Sequence, residues 1–181
     1  MPDNSADYDL DDDLPDFDPE DRSALVWNLL LLVNPGDEAG ALAQFDAWRE
    51  AMEAQGLSLD TGDDGWLRAL DEAIDWRAGF HVEAQDTATF VQAIDELAAR
   101  WNLRIDWGGD VDDEEFLAVE DVPALMAIAY DRLREHGYTL WNWNTGEDIL
   151  AGWIALSRDD EAMAALCTLL DVEIRPGSDA F

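Results

Sequence analysis

The stretch YTLWNWNTGEDILAGWIAL, residues 138–156, decides the fold class. Tyr138–Trp143 and Ile149–Leu156 are dominated by aromatic and aliphatic side chains, which suit a pleated, buried surface. Between them lie Asn144, Thr145, Gly146, Glu147 and Asp148, residue types that reverse a chain. The reading is a β-hairpin.

Working outward, the pattern turns helical on both sides. Upstream, Asp121 and Pro123 start a helix whose inner face is Met126, Ala129, Tyr130 and Leu133, and Gly137 stops it. Before it comes an acidic loop, Gly108–Glu115. Before that, Leu103, Ile105 and Trp107 alternate with Arg104 and Asp106, which predicts a strand. Downstream, Met163, Leu166, Cys167 and Leu170 form a helical stripe, and Val172–Ile174 reads as a short last strand. From Leu103 onward the order is β-α-β-β-α-β, that of a ferredoxin-like (split βαβ) sheet. The fold class is therefore α+β. Additions precede it. Phe80–Ala84 alternates as a strand, and Asp86 and Thr87 open a helix carrying Phe90, Ile94, Leu97, Ala98 and Trp101. Three further helices come first. Ser23 caps one through Val33. Asp37 opens one with Leu42, Phe45, Trp48 and Met52, closed by Gly56. Asp63 and Asp64 open one with Leu67, Leu70 and Ile74.

Charge separates the chain into two parts. The 181 residues carry 43 Asp and Glu against 10 Arg and no Lys, a net charge of −33. Residues 1–22 hold 10 acids and one Arg, and the remaining 159 residues still carry −24. Residues 1–21 read as a disordered acidic arm punctuated by Tyr8, Leu10, Leu14 and Phe17. Residues 22–181 read as a single domain, since nearly half of all residues are apolar. Such like charge favours solubility and a monomer. It disfavours direct contact with nucleic acid or an anionic membrane, where basic patches supply affinity. The one cysteine, Cys167, fits a buried free thiol in a reducing compartment. The N-terminus lacks the basic-then-apolar pattern of a secretory signal, and no run is long enough to span a bilayer. A cytoplasmic location is the expectation.

Catalytic signatures are absent. No GxSxG, phosphate loop, HExxH or CxxC occurs. His81 falls at an outward strand position and His136 at a helix C-terminus, where a structural role suffices. Among so many carboxylates no single pair is informative. Asp110, Asp112 and Glu114, like Asp7, Asp9 and Asp11, have calcium-loop spacing but lack the glycine at position six and the glutamate at position twelve. No catalytic residue, metal or cofactor is expected.

In a split βαβ the first and second strands are parallel, so their carboxyl ends share one sheet edge. That would bring Trp107–Glu115 and Trp143–Asp148 together. The candidate partner-binding residues are therefore Trp107, Asp110, Asp112, Asp113, Glu114, Glu115, Trp143, Asn144, Glu147 and Asp148. Aromatic groups ringed by acids suit a cationic guest, although Trp141, Trp143 and Trp153 also fit core packing. The expected function is an acidic module that binds a basic protein, of the kind that neutralises a toxin or mimics nucleic acid. The alternatives are an enzyme or small-ligand protein using carboxylates at that edge, or charge serving only solubility in salt.

The segments IDWRAGFHVEAQDTATFVQAIDELAARWNLRIDWGGD, DVPALMAIAYDRL and LWNWNTGEDILAGWI together resemble a bacterial family of unknown function, over about residues 60–180. That resemblance implies a bacterial cytosolic protein and no assigned catalytic residues.

Overall fold

In the computed structural model, which describes residues 22–59, 64–74 and 76–181, the hairpin forms where expected. The acidic arm and Asp63 lie outside the described residues. The elements run α1 (Arg22–Val33), α2 (Glu38–Gln55), α3 (Gly65–Ile74), β1 (Gly79–Glu83), α4 (Thr87–Ala99), α5 (Glu114–Ala118), α6 (Val122–Glu135), β2 (Tyr138–Trp143), β3 (Ile149–Leu156), a 3-10 turn, α7 (Asp160–Leu169) and β4 (Ile174–Pro176). The fold is α+β, helices around one antiparallel sheet.

Helix starts follow the side-chain chemistry. Asp37 accepts from Gly40 N–H at 2.9 Å, Asp86 from Thr89 at 3.1 Å, and Asp121 from Ala124 at 2.9 Å. Each carboxylate satisfies a backbone donor that the first helical turn leaves unpaired. Gly56 ends α2 in the left-handed conformation at φ 64°.

The sheet order is β1-β3-β2-β4, and each neighbouring pair is antiparallel. Trp141 faces Trp153, and His81 faces Ala151. Both faces of the sheet are covered. Trp143, Ala151, Trp153 and Ala155 pack with α1, α2, α3 and α7, while Phe80, Val82, Leu140, Leu150 and Ile154 pack with α4 and α6. That double burial explains why β3 reads as a nearly continuous apolar run.

Gly152 sits where β3 passes close to the backbone of β2. A Cβ there would overlap the Trp141 carbonyl oxygen. Opposite it, fully buried Asn142 fastens the C-terminal segment. Its amide nitrogen donates to Arg175 O at 3.0 Å and Pro176 O at 3.2 Å, and its oxygen accepts from Phe181 N–H at 3.2 Å.

Two features depart from the expected ferredoxin-like topology. Leu103–Trp107 is extended but joins no ladder; β1, read from sequence as an addition, takes the place beside β3 instead. The reason lies at the end of α4. Asn102 adopts φ 57°, and Leu103 N–H bonds Ala98 O at 3.1 Å, which turns the chain back along α4. Leu103, Ile105 and Trp107 then pack into the α4–α6 layer. Alternation thus marked a half-buried extended chain, not a paired strand. The last strand also shifts, to Ile174–Pro176, and pairs with β2.

Candidate functional site

The acidic loop is built by its own carboxylates. Asp106 accepts from Gly108 N–H at 3.0 Å, Asp110 from Asp112 N–H at 3.0 Å, and Asp113 from Glu115 N–H at 2.9 Å. These short-range bonds fold the loop and start α5. Glu114 and Glu115 occupy the exposed first turn of α5. Gly109 has no room for a side chain because the Phe116 ring lies over it. Trp107 is buried beneath the loop, 4 % exposed, with its ring edge-on to Phe90 at 6.1 Å. Its indole N–H donates to Asp95 at 3.1 Å. Burial pushes the Asp95 carboxyl above its usual range, opposed by that hydrogen bond and by Arg104. Segment 103–112 and α4 enclose an open groove of about 890 Å³.

The hairpin tip is equally self-supporting. Asn144 accepts from Gly146 N–H at 2.9 Å, and Thr145 donates its hydroxyl to Ile149 O at 2.7 Å. Glu147 and Asp148 are exposed. Trp143 is buried, also 4 % exposed, but in the core layer on the other face of the sheet from Trp107. Its indole nitrogen is buried without a hydrogen-bond partner among the described residues.

Beside Trp143 opens a smaller cleft, about 320 Å³, lined by Arg68, Asp71, Glu72, His81, Thr145 and Glu147. Within it Asp71 Oδ2 lies 2.5 Å from His81 Nδ1. Asp71 is buried, whereas the His81 side chain is 43 % exposed. A carboxylate at Nδ1 orients the ring, and Nε2 has no hydrogen-bond partner among the described residues.

The hairpin tip and the segment that follows α5 meet at the C-terminal end of β1. Ala84, just past β1, donates to Asp148 O at 3.1 Å and accepts from Val122 N–H at 3.3 Å, and Thr87 Oγ1 donates to Leu117 O at 3.4 Å. The loops open onto separate depressions, however. Trp107, Asp110 and Asp112 line the α4 groove, while Trp143 and Glu147 line the smaller cleft. The expectation of an exposed aromatic grip at Trp107 and Trp143 is corrected: both indoles are core. What remains at the surface is acid. Among the described residues, none of Asp110, Asp112, Asp113, Glu114, Glu115, Glu147 and Asp148 forms an ion pair. No group of three His, Cys, Asp or Glu among the described residues could hold a metal ion, and no helix among them is long and apolar enough to cross a membrane.

Residues 25–177 match the family described as a domain of unknown function, DUF6630. The chain belongs to the DUF6630 family. The match begins earlier than the resemblance over 60–180 implied, so α1 and α2 belong to the DUF6630 domain. No curated protein and no solved structure matches the chain.

One feature of this DUF6630 domain escaped the sequence reading, the Asp71–His81 pair. A signal for it was present. Asp71 falls four residues after Leu67 and three before Ile74, on the apolar stripe of α3. A carboxylate on a buried stripe needs a partner. That the partner is His81 follows only once α3 packs on the sheet.

Proposed function

We propose that this DUF6630 domain is an acidic binding module whose partner is a basic protein. The observation that supports the reading is that seven carboxylates of the two acidic loops have no paired cation among the described residues. Acids held together without counter-charge repel one another, and a cationic surface relieves that repulsion. The loops are held by backbone bonds to their own side chains, so little ordering is required on binding. Neutralising a toxin or imitating the charge of nucleic acid would both use such a surface. Rim charges of this kind chiefly set association rate. The test replaces Asp110, Asp112, Glu147 and Asp148 with their amides and follows the captured partner by stopped flow. The association rate falls and loses most of its salt dependence; an unchanged rate contradicts the reading.

A second reading, a small-ligand or proton-transfer site, draws on the cleft beside Trp143. What favours it is an oriented imidazole next to Arg68 in a concave site. A metabolite panel screened by shifts of the His81 imidazole NMR signals tests it. A hit lost in His81→Gln supports a ligand site there, and a silent panel counts against it.

A further inference from the structure

Leu103–Trp107 has the form of a strand without the partner of one. Its side chains alternate, with Arg104 and Asp106 exposed and Leu103 and Ile105 half-buried. Among the described residues, neither the N–H nor the C=O of Arg104 or Ile105 forms a hydrogen bond, and the same holds for the Asp106 N–H. An extended segment with open donors and acceptors is a template for another strand. It also forms one wall of the groove whose other wall is α4. The groove has apolar walls at Val91, Leu103, Ile105 and Val111, so alternate side chains of a guest would find a place to bury.

Charge selects the guest. Asp95, Glu96, Asp106, Asp110 and Asp112 line the groove against the single guanidinium of Arg104. We propose that Leu103–Trp107 is a docking edge, onto which a basic partner adds an extended segment that alternates cationic and apolar residues. This rests on the basic-partner reading above and names its contact. Main-chain hydrogen bonds to the Ile105 N–H and C=O, which face one edge of the extended chain, supply affinity, the apolar wall takes every second side chain, and the acids take the others.

The test uses the full chain and a fluorescein-labelled peptide of alternating arginine and valine. A control peptide carries proline in place of each valine, which keeps the charge and removes half the backbone donors. Anisotropy at low ionic strength gives affinity, and amide exchange gives the footprint. The valine peptide binds about tenfold more tightly or better, and slows exchange at the Ile105 amide. Ile105→Pro removes one donor and weakens it by about five- to tenfold, while Ile105→Val does not. Because the proline variant could unfold, the wild-type footprint stands as an independent criterion. Equal affinity for both peptides, or protection outside residues 103–107, overturns strand docking and leaves the basic-partner reading standing. No binding of either peptide overturns both. Protection that grows with protein concentration in the absence of peptide assigns the edge to a second copy and also overturns the proposal.

Discussion

Trp107 and Trp143 are equally buried but unequally satisfied, and the same substitution at each separates packing from hydrogen bonding. Replacing an indole by a phenyl ring removes apolar area worth about 1 kcal/mol at either site. At Trp107 it also removes the donor 3.1 Å from Asp95. Hydrogen bonds to a charged group contribute about 1.5–3 kcal/mol, so Trp107→Phe should lose roughly 2–4 kcal/mol. At Trp143 the indole nitrogen is buried and has no partner among the described residues. Removing it relieves about 1–3 kcal/mol of desolvation, so Trp143→Phe should fall within about 1 kcal/mol of wild type. Trp143→Ala, by contrast, opens a cavity and should cost about 3–5 kcal/mol, where an exposed binding anchor would change stability by less than about 0.5 kcal/mol. Urea unfolding followed by far-ultraviolet circular dichroism at pH 7 measures all three. In melting temperature, Trp107→Phe should drop by roughly 5–15 °C and Trp143→Phe by under about 4 °C. Equal losses for the two Phe variants, or a near-neutral Trp143→Ala, would refute the assignment of these indoles.

Gly152→Ala forces a methyl group into the Trp141 carbonyl, which belongs to the backbone and has little room to retreat; a loss of more than about 3 kcal/mol, or no soluble folded protein, is expected, and a wild-type melt would contradict the close approach. Asn142→Ala releases the C-terminal segment, so amides at 177 and 181 should exchange faster and stability should fall by about 2–3 kcal/mol, read by amide exchange and urea titration. The raised carboxyl of Asp95 makes the folded state bind its proton more tightly than the unfolded state does. Its contribution is therefore present at low pH and is lost as pH rises through the folded-state value. Asp95→Asn should gain stability relative to wild type as pH rises above the ordinary carboxylate range, and a difference that is flat with pH would contradict the shift.

The hairpin and the helix caps were legible because their causes are local. Asn144–Asp148 can only turn, and Asp37, Asp86 and Asp121 each precede a helix by the spacing that lets a carboxylate reach the backbone. Leu103–Trp107 misled because alternation reports one buried side of an extended chain, whether or not another strand lies beside it. The placement of β1 and β4 in the sheet depends on helix packing, which no local pattern encodes. Of the candidate site, the acids were legible as surface, since a carboxylate without a paired cation resists desolvation. The two tryptophans were not, because strand parity says that Trp143 and Trp141 share a face but not whether helices cover it. Both faces turn out to be covered.

We propose that the acidic loops of this DUF6630 domain hold a basic protein. The most direct test is capture from the native cell with the full chain, beside a variant with Asp110, Asp112, Glu147 and Asp148 converted to amides. Capture is done at roughly 0.02 M and 0.5 M ionic strength, where exposed charges are respectively felt and screened. The wild type is expected to retain a basic protein at low salt and release it at high salt, and the variant to retain it at neither. An acidic or neutral protein held equally by both chains at both salts would contradict it.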